Sequence, residues 1–173
     1  RETCIQPVID RLFMEGSPYV GVLYGGLMLT EQGPSIIEFN ARLGDPEAEF
    51  ILPRLENDLI DVIESVLDGN LRNLQLRWEN NYVVGVVIAS GGYPGNYQTG
   101  YMVETPQEAS TTGMIFHAGT QYHDGMICTT GGRVLTAIGK ADTIEQARAN
   151  AYKLVDSIEF TDKQCRTDIA LFD

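Results

Sequence analysis

Between residues 82 and 138 the apolar residues arrive in four short runs, Tyr82–Ala89, Met114–Ala118, Met126–Thr129 and Arg133–Ile138, parted by glycine and polar residues. Runs this short suit strands and fall far below the roughly 20 residues that a membrane helix needs. They predict a small, mostly antiparallel sheet. After them, the capping-box pattern Thr143-x-x-Gln146 opens a helix that buries Ile144, Ala147, Ala151, Leu154, Val155 and Ile158.

The first part of the chain has a different rhythm. Ile5, Val8, Ile9, Leu12 and Phe13 repeat at helical spacing, with Pro7 in the first turn and Gly16 beyond the end. Tyr19 to Thr30 and Ser35 to Asn40 read as two strands joined by the turn chemistry of Glu31-Gln32-Gly33-Pro34, a hairpin. Glu47 to Leu55 looks helical until Pro53. A further helix carries Leu59, Val62, Ile63, Val66 and Leu67 on one face, capped by Asn57 or Asp58 and ended by Gly69. The polar stretch from Asn70 to Asn81 places a domain boundary near residue 75, giving segments 1–75 and 76–173 in an α+β chain.

Charge narrows the function. Asp and Glu number 24 against 12 Lys and Arg, a net charge of −12, and no basic cluster offsets it. Such a surface repels phosphate backbones and anionic lipid, which disfavours nucleic-acid and membrane partners. Cys4, Cys128 and Cys165 are an odd number at wide spacing, which suits free thiols in a reducing cytoplasm. The chain opens at Arg1 without Met, transit segment or secretory core, which fits a piece of a longer polypeptide.

The stretch Glu38-Phe39-Asn40-Ala41-Arg42-Leu43-Gly44-Asp45-Pro46-Glu47 carries the most chemistry. Strand side chains alternate, so Glu38 and Asn40 share a face about 7 Å apart at Cα, and their oxygens are hard ligands suited to Mg²⁺. If the strand continues, Arg42 joins that face and offers a fork of donors to a phosphate or carboxylate. Gly44 allows close backbone approach to a ligand, and Pro46 sets the start of a helix, a place favourable to anions. Asp45 and Glu47 are positioned for an amine or a second metal. By spacing alone, a solvated strand face with an Arg42–Asp45 surface ion pair describes the same residues equally well.

The octapeptide Arg42-Leu43-Gly44-Asp45-Pro46-Glu47-Ala48-Glu49 resembles, position by position, the signature of the glycinamide ribonucleotide synthetase (phosphoribosylamine–glycine ligase) family. Gly21 to Met28, Ala89 to Tyr97 and Gly131 to Leu135 are similar to that family as well. The resemblance implies an ATP-grasp ligase that joins glycine to 5-phosphoribosylamine through a glycyl phosphate while ATP becomes ADP and phosphate. It implies that Glu38 and Asn40 hold Mg²⁺ or Mn²⁺ and through it ATP, and that Arg42 lies beside the transferring phosphate. On this reading residues 1–75 are the rear of an ATP-grasp domain and 76–173 a small C-terminal domain. The nucleotide-holding lobe would belong to a missing N-terminal portion of the same enzyme, the chain being an expressed piece or a cleaved remnant, inactive alone.

Other motifs carry less. Ser90 to Gly95 lacks the Walker Lys-Ser/Thr and reads as a structural turn; His117 and His123 have no third ligand at suitable spacing; Cys128 reads as a packed thiol. Arg133, after Gly131-Gly132 at a strand start, is a candidate substrate contact. Two rival readings are another ATP-grasp carboxylate ligase or carboxylase subunit, since Glu-x-Asn-x-Arg is more widely shared, and a non-catalytic association module.

Overall fold

A computed structural model of the chain describes residues 2–106 and 113–171. The chain divides into two units, Arg1–Ala48 with Leu55–Trp78, and Glu49–Arg54 with Glu79–Asp173.

In the first unit, α1 (Gln6–Met14) has Pro in its first turn, where the missing N–H costs nothing, and an Arg11–Glu15 ion pair of 2.7 Å in its last. Gly16 at φ 76° ends it. The hairpin forms from β1 (Tyr24–Thr30) and β2 (Gly33–Asn40), antiparallel as expected. Its first strand begins at Tyr24, not Tyr19, because Gly21 at φ 140° breaks extended pairing. Pro34 lies inside β2 opposite Leu29. A bulge falls at Ile37, since Gly26 faces Glu38 while Leu27 faces Ile36.

The next element, α2 (Glu47–Ile51), passes directly into a 3₁₀ turn at Leu52–Arg54, and α3 (Leu59–Leu67) follows. Asp58 is the cap of α3, accepting from Ile60 N at 2.8 Å, whereas Asn57 accepts from Arg77 N and donates to Gln75 O. The stripes of α1 and α3 are at the right spacing, yet among the described residues of this unit only Cys4 and Gly44 are buried. Phe13, Leu29 and Leu67 are 71%, 84% and 70% exposed, so this unit has almost no enclosed core of its own.

The second unit holds the core. Its sheet has the order β4 (Gly113–His117), β7 (Arg133–Ala141), β3 (Tyr82–Ser90), β8 (Lys163–Cys165), every pair antiparallel. Against it packs α4 (Ile144–Asp156), capped by Thr143 as expected, with Ala147, Ala151 and Val155 buried. The seam is close because a Cβ at Gly139 would come within 3.0 Å of Ala151 Cα. Val86, Ile88, Val134, Leu135 and Ile158 fill the core. Two expectations are corrected. Met126–Thr129 (β6) leaves the main sheet and pairs with β5 (Thr120–His123), a strand that the four apolar runs did not include, because Asp124-Gly125 at φ 48° and 81° folds the two strands together. The three-residue β8 was not foreseen, since Lys-Gln-Cys has no apolar alternation.

Segment 49–54 is fastened within this second unit at two points. Phe50 fills the notch over Gly85, where a Cβ would lie 2.5 Å from Phe50 Cδ1 and 2.8 Å from Ile138 Cδ1. Glycine in a strand interior is otherwise unfavourable, and here a neighbouring ring requires it. At the other end, Glu79 N donates to Arg54 O (2.8 Å), Arg54 Nη2 to Glu79 O (3.0 Å) and Lys140 Nζ to Pro53 O (3.3 Å). Lys140 pairs with Glu79 Oε2 at 2.5 Å. That bond, then one from Asn81, holds the Glu79 carboxyl below its ordinary value of 4.5.

Ile88→Ala should lower the stability of this unit by about 2–5 kcal/mol, read as a fall in urea midpoint. A carboxylate with a lowered folded pKa contributes stability above its unfolded value, and that contribution is lost as pH falls through the folded one. Lys140→Met should therefore lower the melting temperature at neutral pH, with the difference from the parent fading under acid conditions in which both proteins carry a protonated Glu79.

Candidate functional site

The hairpin register assembles the site. Antiparallel partners share a face, so Tyr24 opposite Asn40 and Gly26 opposite Glu38 put all four on one side. Asn40 Nδ2 donates to Glu38 Oε1 at 2.8 Å, so the two expected side chains do converge. Glu38 is exposed and Asn40 half-buried. Across from them Gly26 keeps space open, since a Cβ there would stand 3.3 Å from Glu38 Cγ. On the opposite face Gly25 admits Ile5 and Phe39, its Cβ position lying 2.6 Å from Ile5 Cδ1.

Beyond Asn40 the strand stops, which corrects the expectation for Arg42. The chain bends at Ala41–Arg42, and the Arg42 guanidinium, exposed, donates from Nη1 to Leu43 O at 2.8 Å. It is not carried onto the Glu38 face by strand alternation. Gly44 is buried, and its missing side chain makes room for Glu47, whose Cδ would lie 2.9 Å from a Cβ there. Backbone exposure to a ligand is thus not what Gly44 provides in this structure. Asp45 is exposed and precedes Pro46 through a cis peptide bond. The helix after Pro46, α2, is only five residues long, so the anion-favouring helix terminus expected there is a turn and a half with little macrodipole.

Glu47 closes the group. Its Oε1 accepts from Tyr24 Oη at 2.9 Å, which ties the loop back to β1. That hydrogen bond raises the Tyr24 pKa above its ordinary 10.0, helped by burial and by the charges of Glu47 and Glu38. Two carboxylates thus act on one phenol, the mark of a locally negative face. Its hard oxygens suit a divalent cation: Glu38 and Asn40 supply two, and the described residues contain no cluster of three His, Cys, Asp or Glu to make a protein cage. A cation that keeps water and substrate oxygens in its remaining positions matches that donor set. Sequence reasoning missed Tyr24, because only the strand register shows that it stands opposite Asn40.

In the second unit, Arg133 opens β7 and lines a cavity of about 500 Å³ with Tyr93, Pro94, Gln164, Cys165 and Arg166. The turn at Ser90–Gly95 is tied to the rest of its unit by protein bonds, Ser90 Oγ to Gly131 O (2.9 Å) and Gln164 Nε2 to Tyr93 O (2.8 Å). Gly132 is small because Tyr93 lies against it, its Cβ position being 2.7 Å from Tyr93 Cε2. His117 Nδ1 meets Thr120 Oγ1 at 3.0 Å, His123 is exposed beside Asp124, and Cys128 is buried. All three cysteines are unpaired. Among the described residues, no helix is long and apolar enough to cross a membrane.

Residues 83–171 match the family model for the phosphoribosylglycinamide synthetase C domain, over half of the chain, and residues 1–48 match that for the ATP-grasp (A) domain of the same synthetase. The chain belongs to the phosphoribosylglycinamide synthetase family. Among its relatives in this family, the phosphoribosylamine–glycine ligase of Caldanaerobacter subterraneus subsp. tengcongensis is 45% identical over 169 residues, 98% of this chain and 40% of that protein. The trifunctional purine biosynthetic protein adenosine-3 of Gallus gallus is 44% identical over 98% of this chain and 17% of its own length. The crystal structure of the Thermotoga maritima phosphoribosylamine–glycine ligase superposes with a TM-score of 0.79 at 38% identity, over 92% of this chain and 39% of that one. The chain therefore spans about 40% of the length of the single-function ligases that it matches. A biotin carboxylase domain from Hydrogenobacter thermophilus shares the fold alone, at 17% identity and a TM-score of 0.59.

A tyrosine whose folded pKa is raised contributes stability below its unfolded value near 10, and loses it as pH climbs through the folded one. Glu47→Gln should bring the Tyr24 titration, followed by ultraviolet absorbance against a Tyr24→Phe control, back toward the ordinary tyrosine range.

Proposed function

We propose that this chain supplies the metal end of the site of an ATP-dependent ligase that joins glycine to 5-phosphoribosylamine, giving glycinamide ribonucleotide, ADP and phosphate. The observation that carries the proposal is the Glu38–Asn40 pair on one face of the hairpin beside the Tyr24–Glu47 bond, just ahead of the octapeptide Arg42–Glu49 that is typical of this family. Glu38 and Asn40 would hold Mg²⁺ or Mn²⁺, which when bound offsets the negative charge of the ATP phosphates. Phosphoryl transfer rests on such positioning and charge compensation.

The remaining roles fall to this chain's own side chains. Arg42, exposed at the bend after β2, presents its fork of donors to the phosphate that leaves ATP for the glycine carboxylate. The 5-phosphoribosylamine nitrogen then attacks the acyl phosphate carbon; a C–N bond forms, the C–O bond to phosphate breaks, and one amine proton is lost. Glu47, kept in place by Tyr24 and Gly44, stands with Asp45 as the carboxylate pair able to orient an amine. Arg133, lining its cavity, is suited to the sugar phosphate. Residues 1–75 form the rear of the ATP-grasp domain and 76–173 the small C-terminal domain, with the adenine-holding groups upstream in the full-length enzyme, in the cytoplasm.

In the full-length enzyme, Glu38→Gln should cut metal-dependent turnover by roughly 10²-fold or more with the fold intact. Near-normal activity at limiting Mg²⁺ would exclude Glu38 as a ligand. Arg42→Lys keeps charge but loses the fork, so it should depress kcat while leaving the melting temperature unchanged. For the 173-residue chain alone, titration calorimetry should detect no micromolar Mg-ATP binding; activity is expected only after mixing with a separately made N-terminal portion.

A further inference from the structure

We infer that Arg148 and Tyr152 of α4 are positioning residues that hold Arg166 in the wall of the cavity lined by Arg133, where Arg166 is a second guanidinium for the sugar phosphate. The inference deepens the reading of that cavity given above and rests on it. Every residue it uses belongs to the second unit.

The sheet places the cavity. Along β3, Val86 and Ile88 pack into the core with α4, so Val87 and Ala89, which line the cavity, face the other side of the sheet. Ala89 stands opposite Arg133 of β7 and opposite Gln164 of β8. Antiparallel partners share a face, so the register brings Arg133 and Gln164 to the cavity from either flank of one small residue. Arg166 lines it as well, although β8 has ended at Cys165. Two of the chain's 12 basic side chains thus meet at one cavity in a chain of net charge −12, and no carboxylate is among the described residues that line it. Such a local reversal of sign selects an anion. At about 500 Å³ the cavity has the volume of a small-molecule site.

Beyond the ladder Arg166 needs other support. Residues 166–171 form neither strand nor helix, and two side chains one turn apart on α4 take up their backbone groups. Arg148 donates from Nε to Ile169 O (2.8 Å) and from Nη2 to Thr167 O (2.7 Å). Tyr152 Oη donates to Arg166 O (2.8 Å) and accepts from Ile169 N (3.2 Å). The Arg148 guanidinium also lies 4.5 Å from the centre of the Tyr152 ring, so each steadies the other. Asp168 then fixes the Arg166 side chain, accepting from Nε at 2.8 Å and from Nη2 at 2.6 Å. That bidentate bond uses two of the five N–H donors of a guanidinium and leaves three for an anion. A helix on one face of the sheet thereby fixes a charge on the other.

The test titrates the full-length protein with ribose 5-phosphate, the hydroxyl counterpart of 5-phosphoribosylamine, and follows amide hydrogen exchange of residues 166–169 in parallel. Arg166→Met should weaken binding about tenfold or more. Arg148→Met should speed exchange in the segment and weaken binding several-fold, because only molecules with Arg166 in place bind well. In steady-state ligation the same change should raise KM for 5-phosphoribosylamine and leave KM for glycine at the parent value. Combined with Arg166→Met, Arg148→Met should weaken binding no further, a coupling that a general loss of stability would not give. If Arg148→Met does not fold, Tyr152→Phe removes one hydroxyl only and is read the same way. Faster exchange with parent affinity overturns the positioning role while the reading of the cavity stands, and so does an equal loss of affinity with and without Arg166. Parent affinity in both Arg133→Met and Arg166→Met sinks the reading of the cavity, and this inference with it.

Discussion

The ladder between β3 and β7 is the element on which the second unit depends. It runs from Tyr82 opposite Ala141 to Ala89 opposite Arg133, and both strands are flanked on their other edges, β7 by β4 and β3 by β8. One side of the ladder receives α4 at a spacing that glycine and alanine allow. The pair Gly85–Ile138 receives Phe50. Core, helix seam and the anchoring of segment 49–54 are all consequences of one register, and a slip by one residue would send each side chain to the wrong face.

A second register governs the candidate site. In the hairpin, the partners of Glu38 and Asn40 are Gly26 and Tyr24, one absent side chain and one long hydroxyl. The glycine leaves room over the carboxylate, and the tyrosine reaches past it to Glu47. Chemistry that looks like a property of a ten-residue motif is thus divided between the motif and the opposite strand. The bulge at Ile37 ends the polar face at Glu38 by turning the preceding residues over.

Much of this was legible in the sequence, for identifiable reasons. Strong periodicity gave α1, α3 and α4; turn residues gave the hairpin; alternate positions gave the shared face of Glu38 and Asn40; and the octapeptide gave the family. What failed had physical causes. Arg42 was placed by extending a strand that in fact ends at Asn40, since alternation says nothing about where extension stops. Gly44 was read as an opening for a ligand, whereas it accommodates Glu47 three residues on, a contact that needs the fold of the loop. The role of Tyr24 depended on register, and β8 on pairing with a strand more than seventy residues earlier in the chain. Each miss lies in a contact that local pattern does not encode.

The uneven distribution of burial has a further consequence. β7 is enclosed by strands on both edges and sits under α4, so its amide hydrogens belong to the last part of the molecule to open. The hairpin that carries Glu38 and Asn40 pairs only with itself among the described strands, and its tip leaves Leu29 84% exposed. In this chain taken alone, such an element opens at small free-energy cost. A ligand that needs the hairpin closed then binds only the closed fraction, and its apparent affinity falls in proportion. Whatever packs against that hairpin raises the affinity without touching the ligand, which makes neighbouring structure a regulator of binding strength.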